Sequence, residues 1–395
     1  MFEIKKEHIN FIIFAGFLIR IIVALVNSFI FPTLGGESDA IGFDYVASHY
    51  ALTGDKEIHD ITRPGWLYSL VLGYFYRYFF DSIFFGCVLS IVAWLLTVLV
   101  VLRFLEHLRY DNYSKFYAIL ILSFLPSSIF YTSITLREPF QMLFITLLVY
   151  SMVRFYKTNS LMHFICIPIF SFFLGALHQA LVAISLASIG LFVIFISLVN
   201  LSNKLQKVRF YLIFLIVFSL IPLSLSIFQE YGFTLEKGFI AAVSGYQEGL
   251  IPDAIPRAHY RINAIEDSII SFLLFLPISF TQYQLEPFPW KIGSFIDLFF
   301  FFENVIRVYL IYKTTIFLVQ ARKRLNDKDI ASVLFVFLMF LLIEFMWAVG
   351  TVNWGTASRH HMPTLALLLI ASANSFVDIH KLISSFLGSR DKINI

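Results

Sequence analysis

The chain has 395 residues, of which 59% are hydrophobic and only 14% are charged. Soluble domains contain about a quarter charged residues, so a water-soluble fold of this size is excluded. The mean hydropathy of +0.81 indicates a polytopic membrane protein that is surrounded by membrane lipids. The net charge is only +3, and no basic domain or basic-aromatic loop is present, so no nucleic-acid partner is expected.

Apolar segments that can cross a bilayer follow one another along the chain. A transmembrane helix needs about 20 mostly apolar residues. We predict an all-α, polytopic transmembrane helix bundle of about ten spans, with 1–395 as a single transmembrane domain. The spans are predicted near 10–31, 82–103, 115–133, 138–155, 161–177, 180–200, 209–228, 292–319, 328–349 and 361–378. The shorter stretches 65–80 and 266–283 are predicted to be re-entrant or to lie in the membrane interface.

The distribution of positive charge predicts the orientation. Lys and Arg are enriched in cytoplasmic segments near span ends. Six segments that ten spans place on one side hold 17 of the 29 Lys and Arg residues: 1–9, 103–115, 154–160, 201–209, 320–328 and 379–395. We therefore predict a multi-pass protein of the cell inner (plasma) membrane with cytoplasmic N- and C-termini. The outer loops 32–64, 229–291 and 350–360 then form the predicted active-site face, with short juxtamembrane helices.

The first outer loop, residues 32–64, is rich in carboxylates. Asp39 and Asp44 lie in it, and a short helix is predicted to open at Asp44 and Tyr45. A carboxylate at the membrane surface can act as a general base on an acceptor hydroxyl, and it can also bind a divalent cation. The alternative is a solvated acidic loop, and the residue types alone leave both interpretations open.

Arg137 and Glu138 are adjacent charges at the predicted outer end of a span. Pro139 suits the first turn of a helix, where a missing N–H costs little. Glu138 is favoured there by the helix dipole, and Arg137 can hold a phosphate with its guanidinium fork. The alternative is a helix cap with an interfacial charge.

The segment 252–263 carries Arg257, His259 and Arg261. Two arginines and a histidine so close together can bind the phosphates of a pyrophosphate on the outer leaflet. An ordinary basic interfacial loop is the alternative.

Further candidates lie in other outer segments and inside the spans. Arg359 and His360 belong to the last outer loop, where Arg359 is the better candidate for a phosphate contact. His178 lies between two apolar spans and is either an interfacial turn residue or a substrate contact. Arg20 and Glu344 fall inside predicted spans. Ionisable groups at such depth are functional hypotheses by default, although a structural ion pair is equally consistent with them.

The order of these elements resembles a known layout. One span precedes an outer loop with an Asp and a Tyr-containing helix, then Arg63-Pro64-Gly65-Trp66-Leu67-Tyr68 opens an apolar helix that ends at Phe79-Phe80. The layout continues at Leu125-Pro126, at the SITLRE segment 133–138 and at Arg359-His360-His361-Met362-Pro363. It is similar to the GT-C glycosyltransferases, polytopic enzymes that use polyprenyl-phosphate-linked sugars and include the protein mannosyltransferase and lipid A aminoarabinose transferase groups.

The resemblance implies roles for particular residues. A carboxylate of the first outer loop is central to catalysis in that class, and the matching residue is Asp44 or, second, Asp39; Glu138 matches a carboxylate that begins a later helix. The adjacent acidic pair of the class is absent, because Asp39 and Asp44 are separated. The resemblance covers about residues 10–155 and 350–378. Donor phosphate contacts are expected from Arg137 and Arg359 and, on residue type alone, from Arg257 and Arg261. Substrate contacts are expected from Arg63, Tyr45, His178, His259 and His360.

Motifs for a bound nucleotide are missing from the sequence, so an outward-facing enzyme needs an activated substrate in the membrane. We expect transfer from a polyprenyl-phosphate- or diphosphate-linked sugar donor to a lipid or glycan acceptor, in cell-envelope glycan or polysaccharide biosynthesis. No cofactor is required by the sequence, and whether the site binds a divalent cation stays open. The alternatives are a polysaccharide polymerase or ligase of the polyprenyl-diphosphate class, a lipid-linked glycan flippase or transporter, and a non-catalytic assembly partner.

Overall fold

The computed structural model describes residues 4–37, 39–54, 66–199, 258–260, 269–324 and 327–377, and this part of the chain is all-α, as predicted. Short 3₁₀ helices cover Pro289–Lys291 and Ala321–Arg324. The α-helices, numbered in chain order, are α1 (Lys6–Phe29), α2 (Asp39–Thr53), α3 (Trp66–Tyr78), α4 (Ile83–His107), α5 (Asn112–Phe124), α6 (Pro126–Tyr131), α7 (Glu138–Thr158), α8 (Leu161–Leu177), α9 (Gln179–Val199), α10 (Ile269–Leu285), α11 (Phe295–Gln320), α12 (Lys328–Gly350), α13 (Trp354–His360) and α14 (Met362–Ala371).

Within the described ranges, five helical segments are long and apolar enough to cross a membrane. They are α1, α4, α7, residues Ala180–Leu198 of α9, and α12, with lengths of 19 to 25 residues. These segments coincide with the predicted spans 10–31, 82–103, 138–155, 180–200 and 328–349. Several candidate spans in one chain indicate a multi-pass membrane protein.

The count of about ten spans is not shown by the structure. Helix α8 has 17 residues and α14 has ten, which is short for a span, and the predicted span 209–228 lies outside the described residues. Helix α11 has 26 residues, but it buries the polar side chains Asp297, Glu303, Asn304 and Arg307. The predicted span 115–133 is divided into α5 and α6. The ten-span count therefore stays a prediction.

Pro126 divides the predicted span 115–133. A residue before proline is driven out of the α region, and Leu125 adopts φ −62° and ψ 127°. Pro126 lacks an N–H, so the carbonyl of Leu122 loses its partner four residues on. The helix ends at Phe124 and a new one begins at Pro126, which leaves carbonyls at the break to be satisfied from elsewhere.

Arg20 of α1 donates to carbonyls at this break, and Ser128 and Trp94 also donate to that of Leu122. Its guanidinium donates to the carbonyl oxygens of Leu122 (3.3 Å), Ser123 (2.9 Å) and Gly16 (3.0 Å), and it lies 3.7 Å from the centre of the Trp94 ring. The hydroxyls of Thr132 and Ser128 accept the remaining hydrogen bonds at 2.7 and 2.9 Å. Arg20 is fully buried and pairs with oxygens of the helix break, so it stabilises α5 and α6 against α1.

The core of the bundle is built around α14. Every residue from Met362 to Ala371 is buried, because α7 and α12 pack on this helix and α4, α5 and α11 also contact it. Around this centre, α1 packs on α4 and α5, and α9 packs on α8 and α12. Helix α1 exposes Phe11, Phe14, Leu18 and Ile22 on its other side, which is the surface expected of a helix facing lipid.

The two ends of the bundle carry different chemistry. At one end Lys157 pairs with Asp329 and donates to the His107 carbonyl (3.0 Å), and Lys328 donates to the Lys157 carbonyl (3.4 Å). His107, Lys157 and Lys328 belong to three segments predicted to be cytoplasmic. At the opposite end, which the charge pattern predicts to be the outer end, α7 begins at Glu138 and Arg359 lies in α13. Helices α2 and α3 pack against each other and join the bundle at this outer end through the contact of Tyr68 with Phe140 (5.6 Å).

Candidate functional site

An ionic cluster of Arg359 with Asp39 and Glu138 forms the centre of the candidate site. The Nη2 of Arg359 lies 2.8 Å from Asp39 Oδ2 and 2.9 Å from Glu138 Oε1, and its Nε donates to the same Glu138 oxygen at 3.1 Å. Asp39 begins α2, Glu138 begins α7 and Arg359 lies in α13. Three residues predicted separately as site residues are thus brought into direct contact.

The start of α7 is confirmed as predicted. Glu138 is the first residue of the helix, Pro139 lies in its first turn and Arg137 is the N-cap. The Glu138 side chain is 2% exposed, and its Oε2 has no hydrogen-bond partner in the described part of the chain. A buried, unsatisfied carboxylate oxygen costs free energy, so this atom marks a place where a ligand or water is expected to bind.

Charge balance keeps Arg359 ionised. Burial alone would lower the pKa of Arg359, but the carboxylates of Glu138 and Asp39 raise it above its ordinary value. The guanidinium is therefore a fixed positive charge that holds two carboxylates from distant segments in one place.

Arg137 lies on the other side of the α7 start. Its Nη1 donates to the Leu177 carbonyl at 3.5 Å, and its guanidinium carbon lies 5.3 Å from the centre of the Phe43 ring. Phe43 belongs to α2, and its ring packs edge-on against Tyr68 of α3 at 5.2 Å. Arg137 thus contacts the end of α8 and the helix that carries the acidic residues.

His178 and His360 are buried close to both arginines. The His178 ring centre is 5.3 Å from that of Trp347, and Trp347 stacks on His360 at 4.1 Å. Burial lowers the pKa of both histidines, and the charges of Arg137 and Arg359 lower it further. Both imidazoles are therefore neutral at physiological pH, and both guanidiniums lie within electrostatic range of the same pair of rings.

Asp44 is held by a tyrosine. The Tyr76 hydroxyl of α3 donates to Asp44 Oδ1 at 2.6 Å. Burial raises the pKa of Asp44, the hydrogen bond from Tyr76 lowers it in part, and Asp81 raises it again. A carboxylate with a raised pKa is a stronger base than an ordinary aspartate, which suits proton removal from a hydroxyl.

The carboxylates of Asp44 and Glu138 both act electrostatically on Tyr68. Burial raises the pKa of Tyr68, and the carboxylates of Glu138 and Asp44 add to the rise. Its ring therefore lies within electrostatic range of both carboxylates. Tyr45, the predicted substrate contact next to Asp44, is 68% exposed.

Some of the remaining predicted residues lie in the described ranges and others lie outside them. His259 is buried and forms an isolated antiparallel bridge with Asn353; beside it, Tyr260 N–H donates to the Val352 carbonyl at 2.9 Å and Trp354 N–H to that of Ala258 at 3.1 Å. Residues 258–260 thus lie directly beside the start of α13. Arg63, Arg257 and Arg261 lie outside the described residues.

A second polar cluster was not predicted from the sequence. Helix α11 buries Glu303, Asn304 and Arg307 within the predicted span 292–319, and Arg307 Nη1 donates to Asn304 Oδ1 at 2.6 Å. Charged residues inside a predicted span were the available signal. Nearby, Glu344 accepts hydrogen bonds from Gln284 (2.6 Å) and pairs with His361 (2.6 Å), so Glu344 is well satisfied.

Tyr76 and Trp347 are also site residues that the sequence analysis missed. Tyr76 stands in an aromatic stretch, and Trp347 lies inside a span, so residue type and spacing did not distinguish either from ordinary apolar residues.

Within the described segments, no group of three or more His, Cys, Asp or Glu side chains is arranged as a set of metal ligands. A scan against models of known protein families gives no match, and a search of curated proteins gives none either.

Proposed function

We propose that the protein is a membrane glycosyltransferase that takes sugar from a polyprenyl-phosphate- or diphosphate-linked donor. It acts on the extracytoplasmic face, on a lipid or glycan acceptor, in cell-envelope glycan or polysaccharide biosynthesis. The proposal includes about ten spans, cytoplasmic termini and an inner-membrane location.

One observation supports the proposal above all others. Arg359 is 320 residues from Asp39 and 221 residues from Glu138 in the sequence, yet its guanidinium binds both carboxylates at the predicted outer end. Buried charged groups that are brought together from distant segments and have a specific charge partner are candidates for a functional site. Their position matches the segments in which the GT-C-like layout expects a catalytic carboxylate and donor phosphate contacts.

In the proposed reaction, Asp44 accepts the proton of the acceptor hydroxyl. The hydroxyl oxygen then forms a bond to the anomeric carbon of the sugar, while the bond from that carbon to the phosphate oxygen breaks. The leaving polyprenyl phosphate or diphosphate keeps the electron pair. Arg137 and Arg359 neutralise its charge, and Arg257 and Arg261 are proposed to assist. Glu138 holds Arg359 in place, and Asp39 is the second candidate base.

An apolar groove supports a lipid-linked substrate. A cavity of about 420 Å³ runs along α11 and is lined by Phe301, Val305, Val308, Tyr309 and Tyr312 with residues of the α10 end. Asn304 also lines it, and its side chain donates to the Glu286 carbonyl oxygen at 2.8 Å. Such a mostly apolar groove suits the hydrocarbon chain of a polyprenyl carrier.

The test is sugar transfer in proteoliposomes. Purified protein is reconstituted with radiolabelled polyprenyl-linked sugars and candidate lipid acceptors, with Asp44→Asn beside the wild type. We expect the wild type to transfer sugar and Asp44→Asn to lose at least about a hundredfold in rate. Glu37→Gln is the matched control, because Glu37 is an exposed acid of the same loop, and its rate should equal that of the wild type.

Other outcomes select the alternatives. Products that carry long chains instead of one sugar would indicate the polymerase or ligase. Labelled lipid that changes leaflet without any transfer would indicate the flippase or transporter. Full transfer by both Asp44→Asn and Asp39→Asn would overturn the assignment of the base.

A further inference from the structure

The two carboxylates that Arg359 holds differ in their exposure to water. Glu138 is 2% exposed, whereas the Asp39 side chain is 47% exposed, although both lie within 3 Å of the same Nη2 atom. Removing the charge partner of a buried carboxylate is strongly unfavourable. An exposed carboxylate can leave its partner for water at little cost. Asp39 is therefore the exchangeable partner of Arg359, and Glu138 is the permanent one.

The charge balance of the site gives this difference a consequence. With Asp39 in place, two carboxylates, Asp39 and Glu138, bind the one guanidinium of Arg359, and this negative excess disfavours a phosphate. Once Asp39 leaves, Glu138 alone balances the charge of Arg359, and the freed Nη2 points to the place where the carboxylate oxygen was.

The geometry that Asp39 occupies is also one that a phosphate can use. A guanidinium binds carboxylate and phosphate oxygens with the same planar fork and similar N–O distances. The 2.8 Å contact of Asp39 Oδ2 with Nη2 has the length of a charge-assisted hydrogen bond. A phosphate oxygen in the same position would keep the Glu138 contact with Arg359 intact.

We propose that Asp39 occupies a phosphate site on Arg359 and that a phosphate monoester binds there by displacing it. Asp39 competes with the phosphate for Arg359: it binds Arg359 in the empty site and turns to water when the phosphate enters. The proposal rests on the proposed function for its ligand class, a lipid-linked phosphate, but not on any transfer step.

The test measures binding without sugar or acceptor, so that its failure is distinct from a failure of transfer. Farnesyl phosphate and inorganic phosphate are titrated by calorimetry into the detergent-purified full chain at constant ionic strength. The variants are Asp39→Asn, which keeps the shape of the side chain, and Glu37→Gln, which removes the same charge two residues away. Asp39 is exposed, so Asp39→Asn is expected to fold normally, and a thermal unfolding curve checks this.

We expect Asp39→Asn to bind phosphate about three- to tenfold more tightly than the wild type, in line with the loss of one partly exposed ion-pair competitor. Glu37→Gln should bind like the wild type. A gain with both probes assigns the site to the phosphate group itself, and a gain with farnesyl phosphate alone assigns it to a lipid-linked phosphate. Unchanged or weaker binding by Asp39→Asn would overturn the proposal, and so would an equal gain in Glu37→Gln.

Discussion

Arg20 and Arg359 are both arginines held inside the bundle, and they are satisfied in opposite ways. Arg20 donates to carbonyl and hydroxyl oxygens of the α5–α6 break and to Gly16 of its own helix, none of which can leave. Arg359 is held by two carboxylates, one buried and one exposed. A buried arginine bound to backbone oxygens stabilises the fold, whereas one bound to an exposed carboxylate keeps a position that a ligand can take.

The largest expected effect comes from removing Arg20. In Arg20→Met, the Ser123 carbonyl loses its hydrogen bond inside the bundle and the Trp94 ring loses its contact with the guanidinium, while the Leu122 carbonyl keeps Ser128 and Trp94 as donors. A buried unsatisfied group costs about 1–3 kcal/mol, and the lost packing adds to it. We expect a loss of several kcal/mol of stability and little folded protein, measured by fluorescence-detected size exclusion after heating. Arg103→Met is the control, because Arg103 is exposed on α4. Normal thermal stability of Arg20→Met would contradict the structural role of Arg20.

Glu138→Gln should lower activity and leave the protein folded, whereas Arg20→Met should lower stability. The amide keeps the shape of the side chain but removes the buried negative charge that holds Arg359. We expect a folded protein whose transfer rate falls about a hundredfold, as for the loss of one preorganised electrostatic contact. The measurement is transfer in proteoliposomes beside Glu106→Gln, whose carboxylate is exposed and lies 3.9 Å from Lys115 at the other end of the bundle. Transfer at the wild-type rate in Glu138→Gln would remove Glu138 from the site.

A smaller effect is expected from Tyr76→Phe, which removes the hydrogen bond to Asp44 and leaves the ring. That hydrogen bond lowers the pKa of Asp44 against the effect of burial, so its loss raises the pKa further. A general base works in its deprotonated form, so activity rises with pH as Asp44 loses its proton. We expect that rise to shift to higher pH in Tyr76→Phe, with the plateau rate retained. An unshifted profile, measured as kcat/KM against pH, would show that Asp44 does not control the rise.

Sequence and structure agree where the signal is local. The start of α7 at Glu138 followed directly from Pro139 and the helix dipole, because both act within one turn. The break at Pro126 had an equally local cause, but the apolar residues on both sides of it were interpreted as one span. The ion pair of Arg359 with Asp39 and Glu138 depends on how distant helices pack, and a single sequence contains no periodicity that reports such contacts. Tyr76 could not be predicted either, since its hydroxyl acts through a partner on another helix.

The smallest effects should come from substitutions of two glycines at helix contacts. Gly16 lies beside Arg20, and Gly73 lies at the contact of α3 with α2, which carries Asp39 and Asp44. A Cβ at Gly16 would lie 2.9 Å from Ser123 Cβ, and one at Gly73 would lie 2.8 Å from the Ala47 carbonyl oxygen. Gly16→Ala presses α1 away from α5, next to Arg20, and should cost about 1–3 kcal/mol of stability with normal activity per folded molecule. Gly73→Ala separates α3 from α2, where Tyr76 meets Asp44.

For Gly73→Ala we expect a fall in transfer rate of about tenfold or less, because a small displacement of the base is enough to slow proton removal, while the thermal unfolding curve changes less than in Gly16→Ala. Both variants add one methyl group to a helix contact, so each serves as the control for the other, and rate and unfolding are measured on the same preparations. If Gly16→Ala lost activity and Gly73→Ala lost stability, the assignment of the Arg20 region to the fold and of the Arg359 region to function would be reversed. A loss of both quantities in both variants would show that the α2–α3 pair and the α1–α5 contact unfold as one unit.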